Sequence, residues 1–324
     1  MTKVFITGGS GFIGSNLAKI LVKNNFDVYL YDAFVQYTIP INQITKSYYD
    51  DRLSDIYDDI TLIRGDVRDT EYLRKTIFDI KPNYIVHLAN MPIADLSNKN
   101  TEEAISSIFN STINLLNISL DLESVKRFIY ASSSMIYGNF EYSPCDESHK
   151  REPIDIYGGA KLASENIIET YNRRFGIEYT IIRPSAVYGP TDVNRRVSQI
   201  FLENAIKGIP ISLHNGGKSK LDFTYVEDTA MGIFLSIIKE EAKNNIFNIT
   251  AGEGRSLLEF SNILKNYFPN LSVELKDVET HRPERGSLDI SKAKKILGYK
   301  PKFNLEDGLK IYIDYVLGKF QNYK

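Results

Sequence analysis

Cysteine is nearly missing from this 324-residue chain, with Cys145 standing alone. That count excludes an intramolecular disulfide and a thiolate metal cluster. Tryptophan is absent, and the four histidines (His87, His149, His214 and His281) show no ligand spacing, so no metal is expected. Net charge is close to nil at −2, which gives no electrostatic reason to expect nucleic acid or an anionic membrane as partner. Long apolar runs are lacking too: none approaches the ~20 residues that span a bilayer. The strand pattern starts at residue 3, so no signal peptide is expected and the cytoplasm is the expected location. Hydrophobic residues at 43% and charged residues at 25% are ordinary for a soluble globular chain of one composite domain or two.

What is present is concentrated at the start. Val4-Phe5-Ile6-Thr7 reads as a strand that breaks into Gly8-Gly9-Ser10-Gly11-Phe12-Ile13-Gly14, and a helical pattern follows from Asn16 to Val22. Gly8 can take a backbone conformation closed to other residues, Gly11 allows a pyrophosphate to approach the backbone, and Gly14 lets the helix pack close to the strand. The helix N-terminus offers unpaired N–H groups and a positive dipole end to phosphates. The Gly-x2-Gly-x2-Gly spacing is one residue longer in its first gap than the usual dinucleotide fingerprint. Such a turn can also serve shape alone. The next apolar run, Val28-Tyr29-Leu30-Tyr31, ends in Asp32, where an acid accepts hydrogen bonds from adenine-ribose hydroxyls. A carboxylate there repels a 2′-phosphate and favours NAD over NADP, unless Asp32 is only a solvated strand end.

Further strands are read at residues 60–66, 84–88, 125–130 and 179–183, with helices at Tyr72–Ile80, about 101–121 and about 161–175. Strands alternating with helices predict an α/β fold, a Rossmann doubly wound parallel sheet covered on both faces. Beyond residue 184, proline and glycine punctuate shorter pieces, with strands expected at Phe223–Val226 and Ile246–Ile249 and a helix at Leu257–Tyr267. The expected division is a Rossmann domain of residues 1–184 plus about 223–250. A smaller, interleaved C-terminal substrate-binding lobe takes 185–222 and 251–324.

Tyr157-Gly158-Gly159-Ala160-Lys161 puts a phenol and an ammonium at i and i+4 on one helix face. A tyrosine of pKa about 10 is a poor base at neutral pH. A lysine one turn away, with a positive nicotinamide ring, would lower that value, and Lys161 would also hold the nicotinamide ribose. Tyr157 could then take a proton from a sugar hydroxyl and return it. Just past the fifth strand, Ser132-Ser133-Ser134 can offer a hydroxyl to orient that substrate. Each element alone has a plainer reading, a surface pair on a helix or a serine-rich turn.

Together, in this order and at these intervals, the elements resemble the extended short-chain dehydrogenase/reductase family, the NAD-dependent nucleotide-sugar epimerases and dehydratases. Gly65-Asp66-Val67-Arg68-Asp69 resembles the adenine-contacting segment, and Val86-His87-Leu88-Ala89 the strand end beside the cofactor. Arg183-Pro184-Ser185-Ala186-Val187-Tyr188-Gly189-Pro190 resembles the entry to the substrate lobe, with Asp222–Asp228 and Leu288–Ala293 as later landmarks. The resemblance implies Ser133, Tyr157 and Lys161 as catalytic residues. It implies a cofactor site of Gly8, Gly11, Phe12, Ile13, Gly14, Asp32, Asp66, Val67, Leu88 and Ala89, joined by Tyr157 and Lys161. For the nucleoside-diphosphate sugar it implies Met91, Ser134, Ser185 and Arg282, with Met91–Asp95 as a wall of the sugar pocket.

The family's dehydratases carry Asp-Glu directly after the catalytic hydroxyl residue, where this chain has Ser134 and Met135; its decarboxylases usually carry glutamate at the Met135 position. Methionine cannot exchange a proton, so the expected reaction is epimerisation at C4, through hydride removal to NAD and return to the opposite face of a 4-keto sugar. A dehydratase, a decarboxylase or a 4-keto-sugar reductase are the alternatives within the family, and a non-catalytic dinucleotide sensor the alternative outside it. Three positions depart from the family pattern: Ala186 and Ile108 for asparagine, and Leu221 for arginine. Arg282 or Arg285, with Lys220, can supply the missing charge. The helices at about 101–121 and 161–175 correspond to those through which relatives dimerise, so the resemblance implies a homodimer, although their apolar faces equally suit intradomain core.

Overall fold

The structure, a computed structural model, describes residues 1–37, 48–277 and 283–321. Its first half runs β1 (Lys3–Thr7), α1 (Phe12–Lys23), β2 (Asp27–Asp32), α2 (Tyr48–Leu53), β3 (Ile60–Arg64), α3 (Thr70–Ile80), β4 (Tyr84–His87), α4 (Ala94–Lys99), α5 (Thr101–Ile105), α6 (Ser111–Leu120) and β5 (Arg127–Ala131). The remainder follows as α7 (Ile156–Phe175), β6 (Tyr179–Arg183), α8 (Val197–Lys207), β7 (Ile211–His214), β8 (Lys220–Asp222), α9 (Val226–Ile238), β9 (Asn245–Asn248), β10 (Gly254–Ser256), α10 (Leu257–Tyr267), β11 (Val273–Lys276), α11 (Ser291–Leu297) and α12 (Leu305–Gln321).

Seven strands form one parallel sheet in the order β3-β2-β1-β4-β5-β6-β9. The chain leaves β1 in one direction as far as β3, then returns to the other side of β1 with β4. The strand order reverses there, and ligands of such sheets bind outside the carboxyl ends at that point. Every residue of β5 and β6 is buried, as expected of strands with a helical layer on each face. One layer joins Leu17 and Leu21 of α1, Ile233 and Ile237 of α9 and Leu297 of α11. The other joins Leu73 and Ile77 of α3, Leu115 and Leu116 of α6 and Ile168 of α7.

A second core lies outside the sheet, where Tyr188, Phe201, Phe223, Phe260, Leu309 and Tyr312 meet. Two small sheets, antiparallel β8–β10 and parallel β7–β11, frame this lobe.

Local differences from the sequence reading have local causes. The helix at 101–121 is divided by a π-helical turn at Ser106–Asn110. The helix carrying Tyr157 starts at Ile156 rather than near Lys161, because the Asp155 carboxylate caps it, accepting from Gly158 N at 2.7 Å. Phe223–Val226 is not a strand: β8 ends at Asp222, and α9 begins at Val226. Its alternation arises because Phe223 and Tyr225 turn into the lobe core, leaving one isolated bridge between Tyr188 and Tyr225.

Candidate active site

A cleft of about 1300 Å³ opens at the carboxyl edge of the sheet. That exceeds the ~300–1,000 Å³ of an ordinary small-molecule pocket and suits two ligands end to end. Residues at or just past the ends of β2, β4, β5 and β6 line it, among them Asp32, Leu88, Ser132 and Pro184.

The glycine turn forms one end. Gly8 holds φ at +68°, and a Cβ there would lie 2.8 Å from Ala89 N. A Cβ on Gly14 would press on Gly8 O and lie 2.8 Å from Gly9 Cα, so any side chain there forces the turn to shift. Gly11, Phe12, Ile13 and Gly14 line the cleft at the start of α1, where the free N–H groups and the positive dipole end lie. Asp32 stands opposite, accepting from Ser10 N at 3.0 Å and Phe34 N at 2.8 Å. Burial raises its pKa, against the pull of those N–H groups and of Arg52. Asp66 and Val67 also line this end, but Arg68 already grips the Asp66 carboxylate with Nη2–Oδ2 at 2.6 Å and Nε–Oδ1 at 3.0 Å. That grip holds Asp66 below its usual value. Asn90 Oδ1 and Ser132 Oγ are buried without a partner among the described residues, and both residues line the cleft. The closed glycine turn, the acid at the end of β2 and these two orphaned acceptors fit a dinucleotide.

The middle of the cleft collects Ser133, Ser134, Tyr157, Lys161 and Ser185. Ser133 caps the short turn Ser134–Tyr137, its Oγ accepting from Met135 N at 3.2 Å. Lys161 is buried, with Nζ donating to Ala131 O at 2.6 Å, 4.7 Å from the Tyr130 ring centroid and 5.8 Å from that of Tyr157. Burial pushes the ammonium down to about 7, Glu165 opposing. The expected lowering of Tyr157 by Lys161 is not what the site does by itself. Burial raises the phenol, and the groups that pull it back are Arg196 and the Ser133 hydroxyl. Lys161 gives one N–H to Ala131 O, and burial pushes it towards the neutral amine.

Beneath this centre, Glu165 lies one further turn along α7. Arg183 holds it through Nη2–Oε2 at 2.6 Å and Nε–Oε1 at 3.0 Å, both side chains buried. Arg183 also donates to Tyr137 Oη at 2.8 Å, tying α7 to β6 and to the turn after Ser133.

Met91 does not line the cleft. It is buried against Ala104, Ile108 and Ala160, while its neighbours Asn90 and Pro92–Asp95 face the opening. Ile108 therefore packs in a small core between α7 and the π-helical turn. Ala186 and Leu221 line the cleft, as do His214, Lys218, Lys220 and Arg285 at the end formed by the lobe. Arg282 lies outside the described residues. Arg285 reaches Met135, its Nη1 at 3.3 Å from Sδ.

Two residues escaped the sequence reading. Arg52 of α2 is buried and donates to Ser10 O at 3.1 Å and to Thr191 O at 2.5 Å, strapping the glycine turn to the lobe entry. Arg196, at the start of α8, lines the same cleft as Tyr157, and its charge favours the phenolate. No local pattern marks either, since each reaches a partner more than a hundred residues away, Thr191 and Pro92.

Comparison with known proteins agrees with this geometry. A family model described as GDP-mannose 4,6 dehydratase matches residues 5–312. A putative UDP-glucose 4-epimerase of Methanocaldococcus jannaschii is 30% identical over 97% of this chain and 98% of its own length. Among solved structures, UDP-glucose 4-epimerase of Thermotoga maritima with UDP-glucose superposes with a TM-score of 0.88 at 27% identity, over 98% of this chain and 100% of that one. UDP-glucuronic acid 4-epimerase of Bacillus cereus, in complex with UDP-glucuronic acid and NAD, superposes with a TM-score of 0.88 at 26% identity, over 98% and 99%. With its fingerprint turn, its Tyr157–Lys161 helix and matches along nearly its whole length, the chain belongs to the GDP-mannose 4,6-dehydratase family of extended short-chain dehydrogenase/reductases, the NAD-dependent nucleotide-sugar epimerases and dehydratases.

Proposed function

We propose that this protein is an NAD-dependent nucleotide-sugar 4-epimerase, with Ser133, Tyr157 and Lys161 as its catalytic residues. The observation that carries the reading is the meeting of these three side chains in one cleft, contiguous with the glycine turn, while Met135 occupies the position next to them. Gly8 to Gly14, Asp32, Asp66, Val67, Leu88 and Ala89 would hold the dinucleotide. Bound there, NAD supplies a hydride acceptor and, on the return, a hydride donor. Tyr157 takes the proton of the sugar C4 hydroxyl and returns it when the alcohol re-forms on the other face. Ser133 orients that hydroxyl and favours the phenolate, and Lys161, anchored on Ala131 O, would hold the nicotinamide ribose. Ser134 and Ser185 line the sugar's surroundings.

Dehydration needs an acid and a base beside Ser133; a buried serine and a thioether supply neither function well. The discriminating experiment uses the purified protein, without added cofactor and then with NAD, in deuterated water with a panel of UDP-, GDP-, CDP- and dTDP-sugars followed by NMR. An epimer without ring deuterium is the expected product. A 4-keto-6-deoxy sugar would overturn the reading in favour of a dehydratase.

The reading includes a homodimer formed through α5–α7, supported by the exposed Ile105, Leu120 and Phe175 on that side. Light scattering at twice the chain mass is the expected result. It also includes a cytoplasmic location; none of the described helices is long and apolar enough to cross a membrane.

A further inference from the structure

Ile182, Arg183 and Pro184, where β6 ends, hold both parts of the catalytic centre. The carbonyls of Ile182 and Pro184 accept from Ser132 N at 2.8 Å and from Ser134 N at 2.9 Å. The backbone of Ser133 is therefore bracketed by two main-chain bonds to this stretch. Arg183, between those carbonyls, sends its side chain to Glu165 of α7. Glu165 lies two turns beyond Tyr157 and one beyond Lys161, so the three share a helix face at i, i+4 and i+8. The fork, Nη2–Oε2 at 2.6 Å and Nε–Oε1 at 3.0 Å, fixes the helix in direction as well as in distance. Nη1 returns to the serine turn, donating to Tyr137 Oη at 2.8 Å and to Glu147 O at 3.1 Å. Tyr137 Oη in turn donates to Asn248 Oδ1 at 2.8 Å. At the near end of the same junction, a Cβ on Gly158 would lie 2.8 Å from Met135 O, so the first turn of α7 rests directly on the serine turn. Helix and turn thus meet at Gly158 and are tied again at Glu165.

A buried ion pair is weak ground for stability, because apolar residues of similar volume often serve as well. Geometry is what apolar residues cannot supply. Arg183 and Glu165 are both fully buried, and Arg151, a second cation near Glu165, stands off at 3.7 Å and is partly exposed. We propose that Arg183 is a positioning residue for the reaction: it sets the α7 face carrying Tyr157 and Lys161 against the turn carrying Ser133, so that the Ser133 and Tyr157 hydroxyls act on one substrate oxygen. The proposal rests on the epimerase reading above and adds to it a residue that touches neither sugar nor cofactor. Two hydroxyls that share one oxygen must both come within hydrogen-bond reach of it. A misplacement of about 1 Å costs about 10²-fold in rate. A planar fork anchored on the stretch of β6 that brackets Ser133 removes that freedom, which a single point charge would leave.

The test follows epimerisation of UDP-glucose, or of whichever panel sugar the wild type turns over, by the NAD-loaded protein across pH. Wild type, Arg183→Lys, Tyr137→Phe and Tyr299→Phe are compared. Arg183→Lys keeps a charge opposite Glu165 without the fork, and Tyr137→Phe cuts only the arm to the serine turn. Tyr299→Phe is the control: it removes a buried hydroxyl of the same kind, bonded to Thr250 O at 3.1 Å in the other helical layer. Arg183→Lys is expected to lower kcat by about tenfold or more, and Tyr137→Phe by a smaller factor, both at unchanged KM. In both, the acid limb of the kcat profile moves to higher pH, because a Ser133 hydroxyl out of reach no longer favours the phenolate. Tyr299→Phe keeps the wild-type kcat and profile, whatever melting temperature it loses. Tyr137→Phe carries the test if Arg183→Lys does not fold. Wild-type kcat in the folded variants, a fall in kcat with an unmoved profile, or the same losses in Tyr299→Phe each overturn the positioning role. A wild type that turns over no sugar nucleotide overturns the epimerase reading instead. Crystal structures of the NAD complexes then decide the positioning by themselves: the Ser133 Oγ–Tyr157 Oη separation lengthens in Tyr137→Phe, and an unchanged separation overturns the role.

Discussion

The two halves of the cleft are built by different means. On the sheet side, the groups that face a ligand are set by backbone: the glycine turn, the start of α1 and the strand ends. Asp32 is itself held by two main-chain N–H groups. On the lobe side, they are side chains on short or irregular pieces, such as Arg196 at the start of α8, Lys218 before β8 and Lys220 at its first position. The first kind of site follows from fold geometry and serves any sugar the family handles. The second can change residue by residue, and it is where Ala186 and Leu221 depart from the family pattern. Cofactor binding is therefore expected to be robust and shared, and substrate choice local and variable.

The sharpest way to break this comparison is to act where the two halves meet. Tyr157→Phe removes only the phenolic oxygen, and turnover is expected to fall by about 10³-fold or more while NAD binding persists. Steady-state kinetics alongside cofactor retention checks both parts. Unchanged turnover would mean that Tyr157 is not the acid–base residue, and no turnover in the wild type would favour a sensor. Next in size is the buried pair under the centre. Glu165→Gln leaves Arg183 uncompensated in the core, and denaturant unfolding should show a loss of about 3–5 kcal/mol.

Gly14→Ala attacks the sheet side alone. Its Cβ would overlap Gly8 O and Gly9 Cα, so the turn must shift, at a cost of about 1–3 kcal/mol and with weaker NAD binding. On the lobe side, Ser256→Ala opens the capping box in which Ser256 and Glu259 bond each other's backbone at the start of α10. About 1 kcal/mol of stability should go, with NAD affinity unchanged.

A pH series sharpens the picture of Lys161. Its pKa falls from the ordinary 10.5 to about 7 on folding. Between these values the unfolded chain binds more protons than the folded one, so stability rises with pH across that window. Measured as a difference from Lys161→Met, the unfolding free energy of wild type should climb from pH 7 towards 10. A flat difference would mean that the ammonium stays charged when buried.

Legibility in the sequence divides along the same line as the cleft. The turn at Gly8–Gly14, Asp32 and the Tyr157–Lys161 face could be read because their partners lie within one supersecondary unit. Residues 179–183 and 257–267 match β6 and α10, since their periodicity and punctuation are local. Met91 shows where this ends: the loop after β4 has no repeat to say which of its residues face the opening, and packing against Ala104, Ile108 and Ala160 turned it inwards. At Phe223–Val226 an alternating pattern reported burial in the lobe core, not pairing. Arg52 and Arg196 each reach one partner more than a hundred residues away, Thr191 and Pro92, which spacing cannot reveal. The pKa of Tyr157 needed three dimensions too, because a lysine at i+4 says nothing of Ala131 O waiting for its proton.

In the proposed reaction hydride leaves and returns at one carbon, with no ring proton exchanged with water. This is tested most directly by NMR of a nucleotide sugar turned over by this protein in deuterated water. The predicted result is the C4 epimer with its ring hydrogens retained. Deuterium in the ring, or a 4-keto-6-deoxy product, would contradict it.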